Sequence, residues 1–132
     1  MQPSERNTKQ IGDFGERIAV RYLRLHGYTV KERNWRSGHA EIDIIAANLS
    51  SIAFVEVKTR TYTQDNIELA PPPGNAVRGE KQRLTRQAAR DYLWKHPTKK
   101  QPRMDVVEIW LVRNEATNQT KVAKINHIKA AY

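Results

Sequence analysis

The sequence predicts an α/β domain in which a small mixed β-sheet is flanked by helices. Three observations point there. Two segments repeat apolar residues at three- and four-residue steps, four other stretches read as strands, and each helical segment carries one apolar stripe that a sheet would bury. A length of 132 residues suits a single core that folds without disulfides or a structural metal.

Residues 1–10 are polar with no apolar spacing and read as a flexible tail, leaving 11–132 as one domain. From Ile11 to His26 the positions Ile11, Phe14, Ile18, Tyr22 and Leu25 have helical period, and Gly27 ends the segment. Glu41 to Ala47 and Ile52 to Thr59 bracket the polar turn Asn48-Leu49-Ser50-Ser51 and form an antiparallel hairpin. The stretch from Thr61 to Val77, with Pro71-Pro72-Pro73-Gly74, reads as a long loop. Helical spacing returns from Glu80 to His96 through Leu84, Ala88 and Tyr92, and Pro97 closes it. A strongly apolar strand, Arg103 to Arg113, and a weaker one, Lys121 to Ile128, complete the chain.

Composition narrows the chemistry. With 23 Lys and Arg against 14 Asp and Glu the net charge is +9, a field that attracts polyanions, nucleic acid foremost. The absence of Cys excludes a thiolate nucleophile, a disulfide framework and Cys-ligated zinc. The longest apolar runs, such as Ile109-Trp110-Leu111-Val112, are four residues long, so no membrane span or signal core is expected and a cytoplasmic location is. No phosphate-cradling Gly-rich loop is present. The triplet His39-Ala40-Glu41 matches half of a zinc-deaminase signature, but the paired Cys ligands of that chemistry are missing.

The hairpin concentrates acids. A turn centred between Leu49 and Ser50 sets Asp43 opposite Glu56 and Glu41 opposite Lys58, with Ile42, Ile44, Val55 and Val57 on the other face. Like charges directly across a ladder repel unless a proton or a cation intervenes. Mg²⁺ and Mn²⁺ take oxygen ligands, and one or two carboxylates plus a substrate phosphate commonly hold Mg²⁺. Asp43 and Glu56 are the candidate ligands, and Lys58 the group that activates water or faces charge building on phosphate; the alternative is a solvated strand face in which Glu41 and Lys58 form an ordinary cross-strand ion pair. Glu41 would support these residues from outside. On the first helix Arg17, Arg21 and Arg24 form one stripe, while Glu16 lies among Ala19, Val20 and Leu23. Glu16 either points at the acidic patch or buries only its stem.

The ordered motifs Gly12-Asp13-Phe14-Gly15-Glu16-Arg17, Asn34-Trp35-Arg36, Ala40-Glu41-Ile42-Asp43-Ile44-Ile45, Phe54-Val55-Glu56-Val57-Lys58-Thr59-Arg60 and Arg103-Met104-Asp105-Val106-Val107 resemble the bacterial YraN family. That family is similar to the PD-(D/E)xK nuclease superfamily, whose restriction-endonuclease-like core is shared by archaeal Holliday-junction resolvases. The resemblance implies Asp43 as the motif aspartate, Glu56 and Lys58 as the Glu-x-Lys half, the Val57 carbonyl as a further metal ligand, Glu16 as an acid assisting the metal, and Lys81 as an auxiliary residue.

For nucleic acid, Arg83, Arg86 and Arg90 share a helix face, and Arg36 and Arg60 flank the acidic strands. Trp35 is a candidate for stacking on an unpaired base, whereas Trp94 and Trp110 are assigned to packing. The resulting expectation is a Mg²⁺- or Mn²⁺-dependent DNA endonuclease acting on branched or recombining substrates, with RNA as another substrate the charge would suit. Symmetric cutting of a four-way junction would call for a homodimer. The competing expectation is a catalytically weak nucleic-acid-binding module of a repair or uptake complex.

Overall fold

The computed structural model describes residues 8–64, Asn66 and 79–132, in the order α1 (Thr8–Leu25), β1 (Thr29–Ser37), β2 (Ala40–Ala47), β3 (Ser51–Thr63), α2 (Gly79–Lys95), β4 (Gln101–Arg113) and β5 (Thr120–Ile128). The strands form one five-stranded sheet in sequence order. Pairing is antiparallel except between β3 and β4, which run parallel. A parallel pair needs a crossover, and α2 lies on it. The mixed sheet flanked by helices is thus as the sequence predicts.

The hairpin turn forms because Asn48 satisfies it locally: its Oδ1 accepts the N–H groups of Ser50 (3.1 Å) and Ser51 (2.7 Å). The pairs Ile44 with Val55 and Ala47 with Ile52 confirm the expected register. Each helix covers one face of the sheet. Ala19, Val20 and Leu23 of α1 pack with Ile44, Ala46, Ala53, Val55, Val107 and Ile109. On the other face Ala88, Ala89 and Tyr92 of α2 pack with Ile42, Ile45, Phe54 and Ile52.

Five expectations need correction. First, α1 begins at Thr8, inside the stretch read as a tail; residues 1–7 lie outside the described residues. Second, a further strand, β1, precedes the hairpin and pairs with β2. Third, β3 continues through Thr63, beyond the expected start of the loop, because its partner β4 runs alongside to Arg113; the remainder of that loop, at 65 and 67–78, lies outside the described residues. Fourth, Leu25 is 76 % exposed, since the buried face of α1 is centred on Ala19 and Leu23. Fifth, Ile42 does not share a face with Ile44, because the strand alternation breaks at Asp43, opposite the left-handed backbone of Asn34.

One glycine sets the distance between α1 and the sheet. A Cβ on Gly15 would lie 1.9 Å from Thr59 Oγ1 and 3.0 Å from Thr59 Cβ. Gly15→Ala should therefore push α1 off β3 and cost about 1–3 kcal/mol, read as a lower denaturation midpoint. An unchanged midpoint would show that the contact yields freely.

The far strand is tied in by a buried acid. Asp105 on β4 is fully buried and accepts from Arg103 Nε and Nη2 (each 2.8 Å), His127 Nε2 (2.7 Å) and the Ala130 N–H (3.1 Å). Arg103 also donates to the Tyr28 hydroxyl. Burial alone would raise the Asp105 pKa, but the hydrogen bonds from His127, Arg103 and Ala130 outweigh it and hold the carboxyl below its ordinary value.

Candidate active site

Asn34 and Asp43 interrupt the β1–β2 ladder. The pairs Arg33 with Ile44 and Trp35 with Ile42 stand on either side of them. Asn34 adopts a left-handed backbone with φ 51°, a conformation that Asn tolerates better than most residues. Alternation is broken there. Ile44 faces α1, whereas Ile42 and Trp35 face α2. The β2–β3 pairing likewise runs only from Ile44 with Val55 toward the turn, so Asp43 and Glu56 stand at the end of the ladder, where the strands part.

Asp43 Oδ2 reaches across that opening to accept the Val57 N–H at 2.8 Å. Glu56, 5 % exposed, forms an ion pair with Lys81 from the start of α2, and Lys58 Nζ stands 3.5 Å from the same Oε1. Burial, followed by the charge of Glu56, pushes the Asp43 pKa up to about 7 against the Val57 hydrogen bond; Glu16 adds to the rise and Lys81 opposes it. The ladder stops before the expected pairing of Asp43 with Glu56; the two carboxyls are electrostatic neighbours beyond its last pair, and two lysines rather than one stand on Glu56.

Glu41 departs from the expected pairing with Lys58. It lies 3.5 Å from Arg36, and the Asn34 amide, its nitrogen turned to the acids, donates to Glu41 Oε1 at 2.9 Å and Glu16 Oε1 at 3.0 Å. Asn34 thus joins α1 to β2. Burial, opposed by Arg33 and augmented by Asp13 and Glu41, raises the Glu16 pKa; the Asn34 hydrogen bond lowers it. Asn34→Gly preserves the left-handed backbone and removes the amide. The Glu16 carboxyl should then titrate higher than in the wild type, measurable by carbon-13 NMR; a lower value would contradict the clamp.

A cleft of about 530 Å³ opens between β2 and α2, lined by residues including Ala40, Glu41, Asp43, Lys81 and Thr85. Tyr132 stands at this end of the molecule. Burial first, with the charges of Glu56 and Asp43 adding to it, raises its phenol above the ordinary value, and Arg86 lies 5.3 Å from its ring centroid. Among the described residues no three His, Asp or Glu side chains form a ready-made ion cage. Asp43 and Glu56 nevertheless suit a hard cation that keeps waters and takes other oxygens from substrate, and the Lys81 ammonium already supplies positive charge to Glu56.

The remaining candidates separate by location. Glu16 and Lys81 come to the site, as do Asp43, Glu56 and Lys58. Val57 is half-buried against the α1-side core, with its N–H on Asp43. Arg36 is exposed at the rim, and half-buried Arg60 is on β3 opposite Trp110. Arg83, Arg86 and Arg90 are exposed along α2. The tryptophan assignments need revision: Trp35 packs edge-on against Tyr92 at 5.3 Å, Trp110 is buried as expected, and Trp94 is 86 % exposed rather than packed. Sequence reasoning missed Asn34 and Tyr132 as neighbours of the acids. Asn is a frequent left-handed residue, the one signal at Asn34.

The model of Uncharacterised protein family UPF0102 matches residues 15–109. A UPF0102 protein of Caldanaerobacter subterraneus is 37 % identical over 127 residues, covering 96 % of this chain and 97 % of its own. One of Bacteroides thetaiotaomicron is 36 % identical over 123 residues, covering 93 % and 92 %. One of Geotalea uraniireducens is 42 % identical over 127 residues, covering 96 % and 91 %.

Proposed function

The chain belongs to the UPF0102 family, the YraN-like group its motifs indicate, and from that premise we propose that it is a Mg²⁺- or Mn²⁺-dependent endonuclease with a PD-(D/E)xK-type site, cutting branched or recombining DNA. One observation carries the reading: Asp43 and Glu56 come together where β2 and β3 part, Lys58 and Lys81 both stand on Glu56, and Asp43 and Lys81 line a cleft. Asp43 and Glu56 would hold the ion, with the Val57 carbonyl as a further oxygen. When bound, the ion would polarise the phosphoryl group and lower the pKa of water.

The protein's own groups have distinct tasks in this scheme. Lys58, with its side chain 30 % exposed, hydrogen-bonds the attacking water or faces the charge gathering on phosphate oxygens. Lys81 offsets Glu56 at the cleft wall. Glu16, joined to Glu41 through Asn34, adds negative potential near Asp43 and favours a cation there. Arg36 and Arg60 hold the backbone on either side of the cut.

The test uses labelled four-way junction, linear duplex and RNA with Mg²⁺, Mn²⁺ or chelator. Metal-dependent cutting of the junction, lost in Lys58→Ala while junction binding persists, is the expected result. Tight binding without cutting under either metal would replace the nuclease with the binding-module reading. Preferential RNA cutting would move the substrate class.

A further inference from the structure

Outside the acidic site, the most unusual surface is a ridge on α2. The helix buries Thr85, Ala88, Ala89 and Tyr92. At about 100° per residue, Arg83, Arg90 and Trp94 fall within about 40° of one another on the opposite side, with Arg86 and Gln87 at the margins. All five are exposed, and the Trp94 indole is 86 % exposed. Two acids adjoin this ridge: Glu80, which pairs with Arg83 at 2.8 Å, and half-buried Asp91, whose carboxylate accepts from the Ser37 hydroxyl. Lys81, two residues before Arg83 and on the side of the helix toward the site, is on Glu56.

The large apolar ring has no place in the core and stands in water beside guanidinium groups. This combination matches a partner that offers phosphates and a flat apolar face in alternation. Duplex DNA conceals its base faces in the stack. Single-stranded DNA presents both groups. From Arg83 to Trp94 the ridge spans about 16 Å, room for a short run of unpaired nucleotides.

We propose that the exposed ridge of α2 binds an unpaired DNA strand, with Arg83 and Arg90 on two of its phosphates and a base stacked on Trp94. The strand leads from the cleft at the start of α2. This inference rests on the phosphodiesterase reading for its choice of DNA and adds a substrate class to it: DNA with a single-stranded arm next to the cut.

The experiment measures fluorescence anisotropy of labelled oligo(dT) of twelve nucleotides and of a twelve-base-pair duplex with the full chain in chelator, so that binding is read apart from cutting. Trp94→Ala should weaken oligo(dT) binding about tenfold and leave duplex affinity within about twofold, while Trp94→Phe restores most of the loss. Arg90→Gln should weaken both probes and flatten the salt dependence by nearly one ion. Equal losses on both probes, or no loss on oligo(dT), would overturn the stacking assignment. So would a preference for oligo(U), or a change in self-association on sedimentation of Trp94→Ala, which would make the ridge a contact between copies. Trp94-dependent binding in a chain that cuts nothing would retain this inference and reject the nuclease; cutting with a neutral Trp94 variant would do the reverse.

Discussion

Asp43→Asn is expected to abolish cleavage and, in metal-free buffer at pH 8, to make the protein more stable. The two effects share one cause. With its pKa pushed up to about 7 by burial and Glu56, Asp43 binds its proton more tightly folded than unfolded. Ionising it therefore costs nothing well below pH 4, costs progressively more between about pH 4 and pH 7, and levels off above that at about 4 kcal/mol. Asn keeps an oxygen for the Val57 N–H and carries no charge. Its melting temperature should exceed the wild-type value by about 10 °C at pH 8 and match it near pH 4. Cleavage should fall by about 10³-fold or more. Mg²⁺ should raise the wild-type midpoint and leave the variant's unmoved. A variant no more stable than wild type at pH 8 would mean that Lys81 and Lys58 already neutralise the pair.

Asp105→Ala should destabilise the chain by about 3–5 kcal/mol, a fall in melting temperature of roughly 10–20 °C. Its carboxylate receives Arg103, His127 and the Ala130 N–H, and its loss leaves buried donors without an acceptor. Because the folded pKa lies below the ordinary carboxylate value, this stabilisation is complete above the unfolded pKa and disappears as the pH falls through the folded one. The damage should concentrate where Asp105 joins β4 to β5 and the α1–β1 connection. Hydrogen exchange at Val107 and Ile125 should accelerate before exchange at Ile44. Wild-type stability in the variant would contradict the account.

The contrast between Asp43 and Asp105 also explains what the sequence reveals. The hairpin register follows from the Ile and Val period, because a one-residue slip would turn buried Val55 and Ile44 to the wrong face. That period brings Asp43 and Glu56 together. It fails one residue earlier, since the left-handed backbone at Asn34 leaves no periodic trace, and the reversal of Ile42 follows from it. β1 escaped notice because Lys31, Glu32, Arg33 and Arg36 interrupt any apolar pattern on an edge strand. Trp94 had a legible signal in its angular position beside Arg83 and Arg90, but size and apolarity favoured packing. The role of Asp105 required knowing that His127, far along the chain, lies beside it.

Among the described residues β1 and β5 are the outer strands of the sheet, and both are positively charged. β1 carries Lys31, Arg33 and Arg36 against Glu32, and β5 carries Lys121 and Lys124. Each also has a register irregularity, between Val30 and Glu32 in β1 and opposite Trp110 and Leu111 in β5. Cations and kinks oppose the growth of a ribbon across molecules. Raising the concentration of this protein should therefore not string it into filaments through its strands, and any twofold assembly on a symmetric substrate would have to close through the helical faces.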